Sequence, residues 1–137
     1  MKKIILSGLL AGIAMLVVGF GLGYALMFLF PSLGAEYANT ALFRPWSDPI
    51  MSLYFAHPFA LGFILAWVWS RVKGVIGGAG WSGKGIRFGL AYWLVTIPGM
   101  IISYASFPLS LVMVVSWSIS VLAQALAAGL ILSAVNR

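Results

Sequence analysis

The sequence predicts an all-α, polytopic membrane protein: a four-transmembrane-helix bundle with both termini cytoplasmic. Three observations predict it. Only 7% of the 137 residues are charged and 63% are hydrophobic, whereas a soluble domain carries about a quarter charged residues to face water. Four apolar runs reach the roughly 20 residues needed to cross a hydrocarbon layer about 30 Å thick. Seven of the eight Lys and Arg fall on one side of the resulting layout.

The first span covers residues 4–30 and closes at Pro31. Its opening, MKKIILSGLLAGIAMLVVGFGLGYA, has the paired lysines and apolar run of a signal peptide. The run continues through Leu26, Phe28 and Phe30, however, past the roughly 7–15 residues of a leader, and no polar cleavage region follows. A retained span is expected. The second span, residues 50–70, is closed by Arg71 and Lys73. The third covers residues 88–107 and the fourth residues 109–135, joined by the tight SYASFPLS, so they are antiparallel neighbours. No period-2 alternation supports a barrel.

The connections complete a single domain over residues 1–137. Residues 71–87, RVKGVIGGAGWSGKGIR, read as a flexible Gly-rich loop. Their Gly-x-Gly elements follow no strand, so they do not predict a phosphate cradle. The longer connection, residues 31–49, has room for one turn of interfacial helix.

Charge sets the orientation. Lys2, Lys3, Arg71, Lys73, Lys84, Arg87 and Arg137 share one side; Arg44 lies on the other with both acids, Glu36 and Asp48. Cations gather on the cytoplasmic side of membrane proteins, which puts both termini there and the chain in the inner membrane. The net charge of +6 then reflects insertion and membrane lipids rather than nucleic acid. With no cysteine in the chain, disulfides, thiolate metal sites and cysteine nucleophiles are excluded.

Lipid tails are as apolar as leucine, so helix association depends on small residues that let backbones approach. Gly8, Gly12, Gly19 and Gly23 fall within about 60° of one another on the first span. In the fourth, Ser116, Ser120, Ala123, Ala127 and Ala134 form a similar stripe beside Gln124. These seams serve either packing within one chain or a homo-oligomer. Pro58 and Pro98 each remove one helical hydrogen bond, and Pro98-Gly99 is a candidate break.

The stretch FRPWSDPIMSLYFAHPFALGF, residues 43–63, concentrates the remaining polar character. Asp48-Pro49 is a helix start, an N-cap acceptor followed by proline at the first position. Trp46 suits one aromatic belt, and Trp67 and Trp69 the other. Arg44 has Glu36 or Asp48 as an ion-pair partner. His57 lies seven residues beyond Ile50, hence about 10 Å below the membrane edge, where an imidazole needs hydrogen-bond partners. Tyr54, Ser103, Tyr104 and Ser116 are expected at its end of the bundle, which outlines an outward-facing polar pocket beneath Glu36, Arg44 and Asp48. A histidine tied to a backbone or hydroxyl group is the alternative.

Function classes narrow accordingly. No nucleophile–base pair, carboxylate pair or metal cluster is visible, so no enzyme, metal or cofactor is expected. Coupled transport usually places a carboxylate inside the bilayer, and the spans hold none. Two readings remain. One is a structural, accessory or small-ligand-binding bundle that self-associates or joins a membrane partner. The other is a passive channel or transporter for a small solute, formed by an oligomer. By its layout and the runs FRPWSDP and HPFALG, the chain resembles small four-span prokaryotic membrane proteins of unknown function; the resemblance implies the fold and brings no substrate or catalytic residue.

Overall fold

Five α-helices form in the order α1 (Lys2–Leu29), α2 (Pro31–Tyr37), α3 (Ser52–Val72), α4 (Gly80–Ser106) and α5 (Leu111–Val135), with a 3₁₀ turn at Pro49–Met51 leading into α3. The computed structural model describes all residues, 1–137. The chain is 81% helical with no strands. Four helices are long and apolar enough to span a membrane: α1, Pro49–Val72, α4 and α5.

Helix boundaries follow local chemistry. Pro31 disfavours helical backbone at the residue before it, and Phe30 accordingly leaves the helix with φ −127° and ψ 82°. Asp48 caps the turn into α3 by accepting the Ile50 amide, with Pro49 at the first position. Ser110 caps α5 by accepting the Met113 amide at 3.0 Å. Both α3 and α4 continue through their prolines, Pro58 and Pro98, so Pro98-Gly99 does not interrupt its helix.

The third span begins eight residues earlier than hydropathy alone places it. GWSGKGIR, read as loop, forms the first two turns of α4. The reason is tertiary. Gly85 and Gly89 sit against the backbone of α5, and a Cβ on Gly85 would stand 2.7 Å from the Gly129 carbonyl oxygen. Helical backbone at these residues creates that crossing and overrides their weak intrinsic preference. Gly80 makes the entry with φ +64°. The connection between α3 and α4 shortens to residues 73–79.

α1 lies between α3 and α5, while α4 packs on α5. The α1–α3 pair crosses as tightly as α4–α5. A Cβ on Gly62 would approach the Gly8 carbonyl and stand 2.8 Å from the Gly12 amide nitrogen. The glycine stripe of α1 therefore divides: Gly8 and Gly12 face α3, Gly19 meets the Gln124 side chain of α5, and Gly23 faces open space. On α5 the buried positions are Met113, Val114, Ser116, Ala125, Ala128, Gly129, Leu132 and Ser133, so Ser116 of the stripe is buried, whereas Ser120, Ala123, Ala127 and Ala134 are only half-buried. From Ala125 onward the buried seam runs one residue round from the stripe read in the sequence.

The hydrophobic core joins all four long helices near the end that holds the termini. Ala11, Met15, Leu65, Ala66, Trp69, Phe88, Ala128 and Leu132 form one cluster. Trp69 is 1% exposed, so it is a core side chain and not part of an aromatic belt. Its ring meets Phe88 edge-on, 5.3 Å between centroids, which links α3 to α4. Toward the far end, α4 turns a wide apolar face outward, with Val95 76% and Ile101 65% exposed.

Candidate functional site

The polar residues of the far end are organised by the connection between α1 and α3. Glu36, on α2, accepts the Ser110 amide at 2.8 Å and the Ser110 hydroxyl at 2.6 Å. Ser110 thus caps α5 and anchors α2 at once. Beside it the Trp117 indole N–H donates to the Tyr37 hydroxyl at 2.6 Å, and Phe43 packs on both rings. Burial pushes the Tyr37 hydroxyl above its ordinary range, more than the bond from Trp117 lowers it.

Asp48 has two partners. One carboxylate oxygen accepts the Ile50 amide at 2.9 Å, and the other accepts the Arg44 guanidinium at 2.8 Å. The Ile50 amide, then the Arg44 hydrogen bond, holds its carboxyl below the usual carboxylate range. Of the two acids, Arg44 pairs with Asp48, four residues on, and Glu36 is held by Ser110. Trp46 and Tyr54 pack edge-on with 5.3 Å between centroids, and Phe20 of α1 joins Tyr54 and Phe55. An aromatic cluster of Phe20, Trp46, Tyr54 and Phe55 thus covers this part of α3.

His57 is exposed on α3. The hydroxyls expected near it have other partners: Ser103 donates to the Gly99 carbonyl at 2.8 Å, and Ser116 to the Met113 carbonyl at 2.7 Å. Tyr104 lies on the exposed side of α4. Ser116 lines an apolar groove of about 280 Å³ between α1 and α5 with Leu26, Phe30, Val112 and Val115. Hydrogen bonding therefore unites Glu36 with Ser110 and Arg44 with Asp48, but does not draw Ser103 or Ser116 to His57.

Several partnerships were not anticipated from sequence. Ser110 before an apolar run carries an N-cap signal, although nothing local pairs it with Glu36. The Trp93 indole N–H donates to the Ser118 carbonyl and hydroxyl at 3.0 and 3.2 Å. The Trp69 indole N–H donates to the Asn136 carbonyl at 2.8 Å. The last two depend on helix pairing and have no local signature.

The chain matches no protein-family model, no curated protein and no solved structure. What it can do chemically therefore follows from its own geometry.

Proposed function

We propose that the protein is a multi-pass accessory element of the inner membrane, a helical bundle that associates laterally through lipid-facing apolar surface and carries out no catalysis. Both termini and the residue 73–79 connection lie in the cytoplasm, following the distribution of Lys and Arg.

One observation carries this reading. Six hydroxyls along the long helices are closed onto their own backbone: Ser7 on Ile4, Ser70 on Trp67, Thr96 on Trp93, Ser103 on Gly99, Ser116 on Met113 and Ser133 on Leu130, and Ser118 accepts the Trp93 indole. A hydroxyl satisfied in this way needs no water or solute beside it, which suits a span surrounded by lipid and protein. Both acids are likewise engaged in holding the far-end connection.

Self-association draws support from surfaces that meet nothing within the chain. A Cβ on Gly23 or Gly99 would find no atom within 4 Å, and the neighbouring Val95, Ile101 and Ile102 are exposed. Small residues beside apolar ones permit close helix approach between copies or with another membrane protein. The test is ion and small-solute flux into sealed liposomes containing the protein, with cross-linking in the same vesicles. Absence of flux with cross-linked dimers or larger species supports the reading; selective flux would replace it with a passive pathway. Membrane-impermeant labelling of Lys84 in intact cells tests the orientation, and labelling from outside would reverse it.

A further inference from the structure

A cavity of about 560 Å³ opens at the end of the molecule opposite His57, where α3 ends, α4 begins and α5 ends. Its size falls within the roughly 300–1,000 Å³ of small-ligand clefts. Lys73, Lys84 and Arg137 line it with Trp69, Trp81 and Ser133. We propose that this cavity seats the phosphate of an anionic phospholipid headgroup.

The three cations differ in how far they are committed. Lys73 is fixed: its ammonium donates to the Asn136 side-chain oxygen at 2.9 Å and to the main-chain oxygens of Asn136 and Arg137 at 3.3 and 2.8 Å. It contributes positive potential with no donor to spare. Lys84 makes a single long contact, 3.4 Å to the Lys73 carbonyl. Arg137 rests over the Trp81 ring at 5.9 Å. Lys84 and Arg137 thus retain donors for a ligand, and a guanidinium suits two oxygens of one phosphate.

The wall made by Gly80 and Trp81 is the first turn of α4, whose N-cap is Ala79 and has no side-chain cap. Leading amides of a helix favour negative charge. They add to the side-chain cations here. No acidic side chain competes, because Glu36 and Asp48 both lie at the far end. The cavity is built by residues of three helices that the core holds together and of the segments that follow α3 and α5.

Position favours a lipid over a soluble phosphate. The cavity lies where three apolar helices end, at headgroup depth. Trp81 and Trp67 at this end are exposed, as tryptophans of a membrane interface are, and each faces an arginine, Arg137 and Arg71. A headgroup seated here leaves its acyl chains beside the exposed apolar face of α4, which begins at Ile86. Basic pockets between helix ends are a recognised form of anionic-lipid site.

The test uses the full chain in neutral-detergent micelles. Native mass spectrometry measures binding of dihexanoyl phosphatidylglycerol, dihexanoyl phosphatidylcholine and inorganic phosphate. Phosphatidylglycerol is expected to bind in a one-to-one complex, with phosphatidylcholine and inorganic phosphate each about tenfold weaker or more. The Lys84→Gln/Arg137→Gln double variant should weaken phosphatidylglycerol about tenfold. Lys3→Gln/Arg71→Gln, which removes the same charge at the same end outside the cavity, should change it less than about twofold. If circular dichroism shows that the double variant has lost helix, Lys84→Gln alone should still weaken binding and Lys84→Arg restore it. Equal weakening by both double variants, or Lys84→Gln without effect, would overturn the site. Inorganic phosphate binding as tightly as phosphatidylglycerol would overturn the lipid assignment. Because the micelle has no sides, the result does not depend on orientation.

Discussion

Glu36 and Ser110 lie 74 residues apart in sequence, yet the carboxylate of one accepts both the amide and the hydroxyl of the other, at 2.8 and 2.6 Å. This contact fastens α2 to the start of α5. Ser110→Ala removes the α5 cap and the hydroxyl half of the link, while the amide still donates to Glu36, and should cost about 0.5–2 kcal/mol, the range for lost N-caps. Glu36→Ala should cost less in the Ser110→Ala background than in the parent chain, because only the amide bond to Glu36 remains there to be lost. A double-mutant cycle from denaturant unfolding in micelles measures that coupling.

Asp48 gives the far-end connection a pH dependence at low pH. Its carboxyl is held below the usual carboxylate range, so its charged form is favoured in the folded chain. Its stabilisation is fully present above the ordinary value, near 3.9, and is lost as pH falls through the lower folded value. Asp48→Asn should flatten that part of the acid stability profile while leaving stability near neutral pH less affected. A profile unchanged by the substitution would remove Asp48 from this role.

The two glycine crossings should respond sharply to added volume. Gly62→Leu and Gly129→Leu drive a side chain into the backbones of Gly8 and Gly85. Overpacking typically costs about 1–3 kcal/mol, and two rigid backbones leave little room to relax. At Gly23 an added Cβ has no atom of its own chain within 4 Å, so Gly23→Leu meets far less resistance. It should preserve monomer stability and reduce cross-linking between copies. Thermal unfolding and cross-linking of the same three variants separate packing within the chain from association between chains.

Trp69 supports the core and the end of α5 together. Trp69→Ala opens a void against Phe88 and leaves the Asn136 carbonyl without its indole donor. A loss of about 3–5 kcal/mol is expected, as for buried aromatic truncation elsewhere. Trp69→Phe retains most of the volume and should recover much of it. Thermal unfolding in micelles checks both.

The four spans were legible because an apolar run of about 20 residues matches the thickness of a bilayer and suits little else. α1 and α5 end within two residues of their expected limits. The start of α4 was not legible. Gly80, Gly83 and Gly85 look like loop when read locally, and the close contact that gives Gly85 a helical role exists only once α5 lies beside it. The glycine stripe of α1 was visible as a stripe, but its division between α3, α5 and open space depends on the arrangement of the helices. The same limit applies to the polar residues. Spacing places His57 at the correct end of α3, but cannot show that Ser103 and Ser116 turn to carbonyls of their own helices. The Lys73–Asn136 contact spans 63 residues and has no sequence signature.

The packing order of the helices also has a consequence for synthesis. α1 can close onto α3 as soon as both have emerged, but α4 packs mainly on α5, which the ribosome makes afterwards. The nascent chain must therefore hold α4 without its native neighbour until roughly the last 27 residues arrive. During that interval Gly85 and Gly89 present bare backbone to whatever insertion machinery or lipid surrounds them. A chain halted before Leu111 would keep the first hairpin and leave its third helix unmatched.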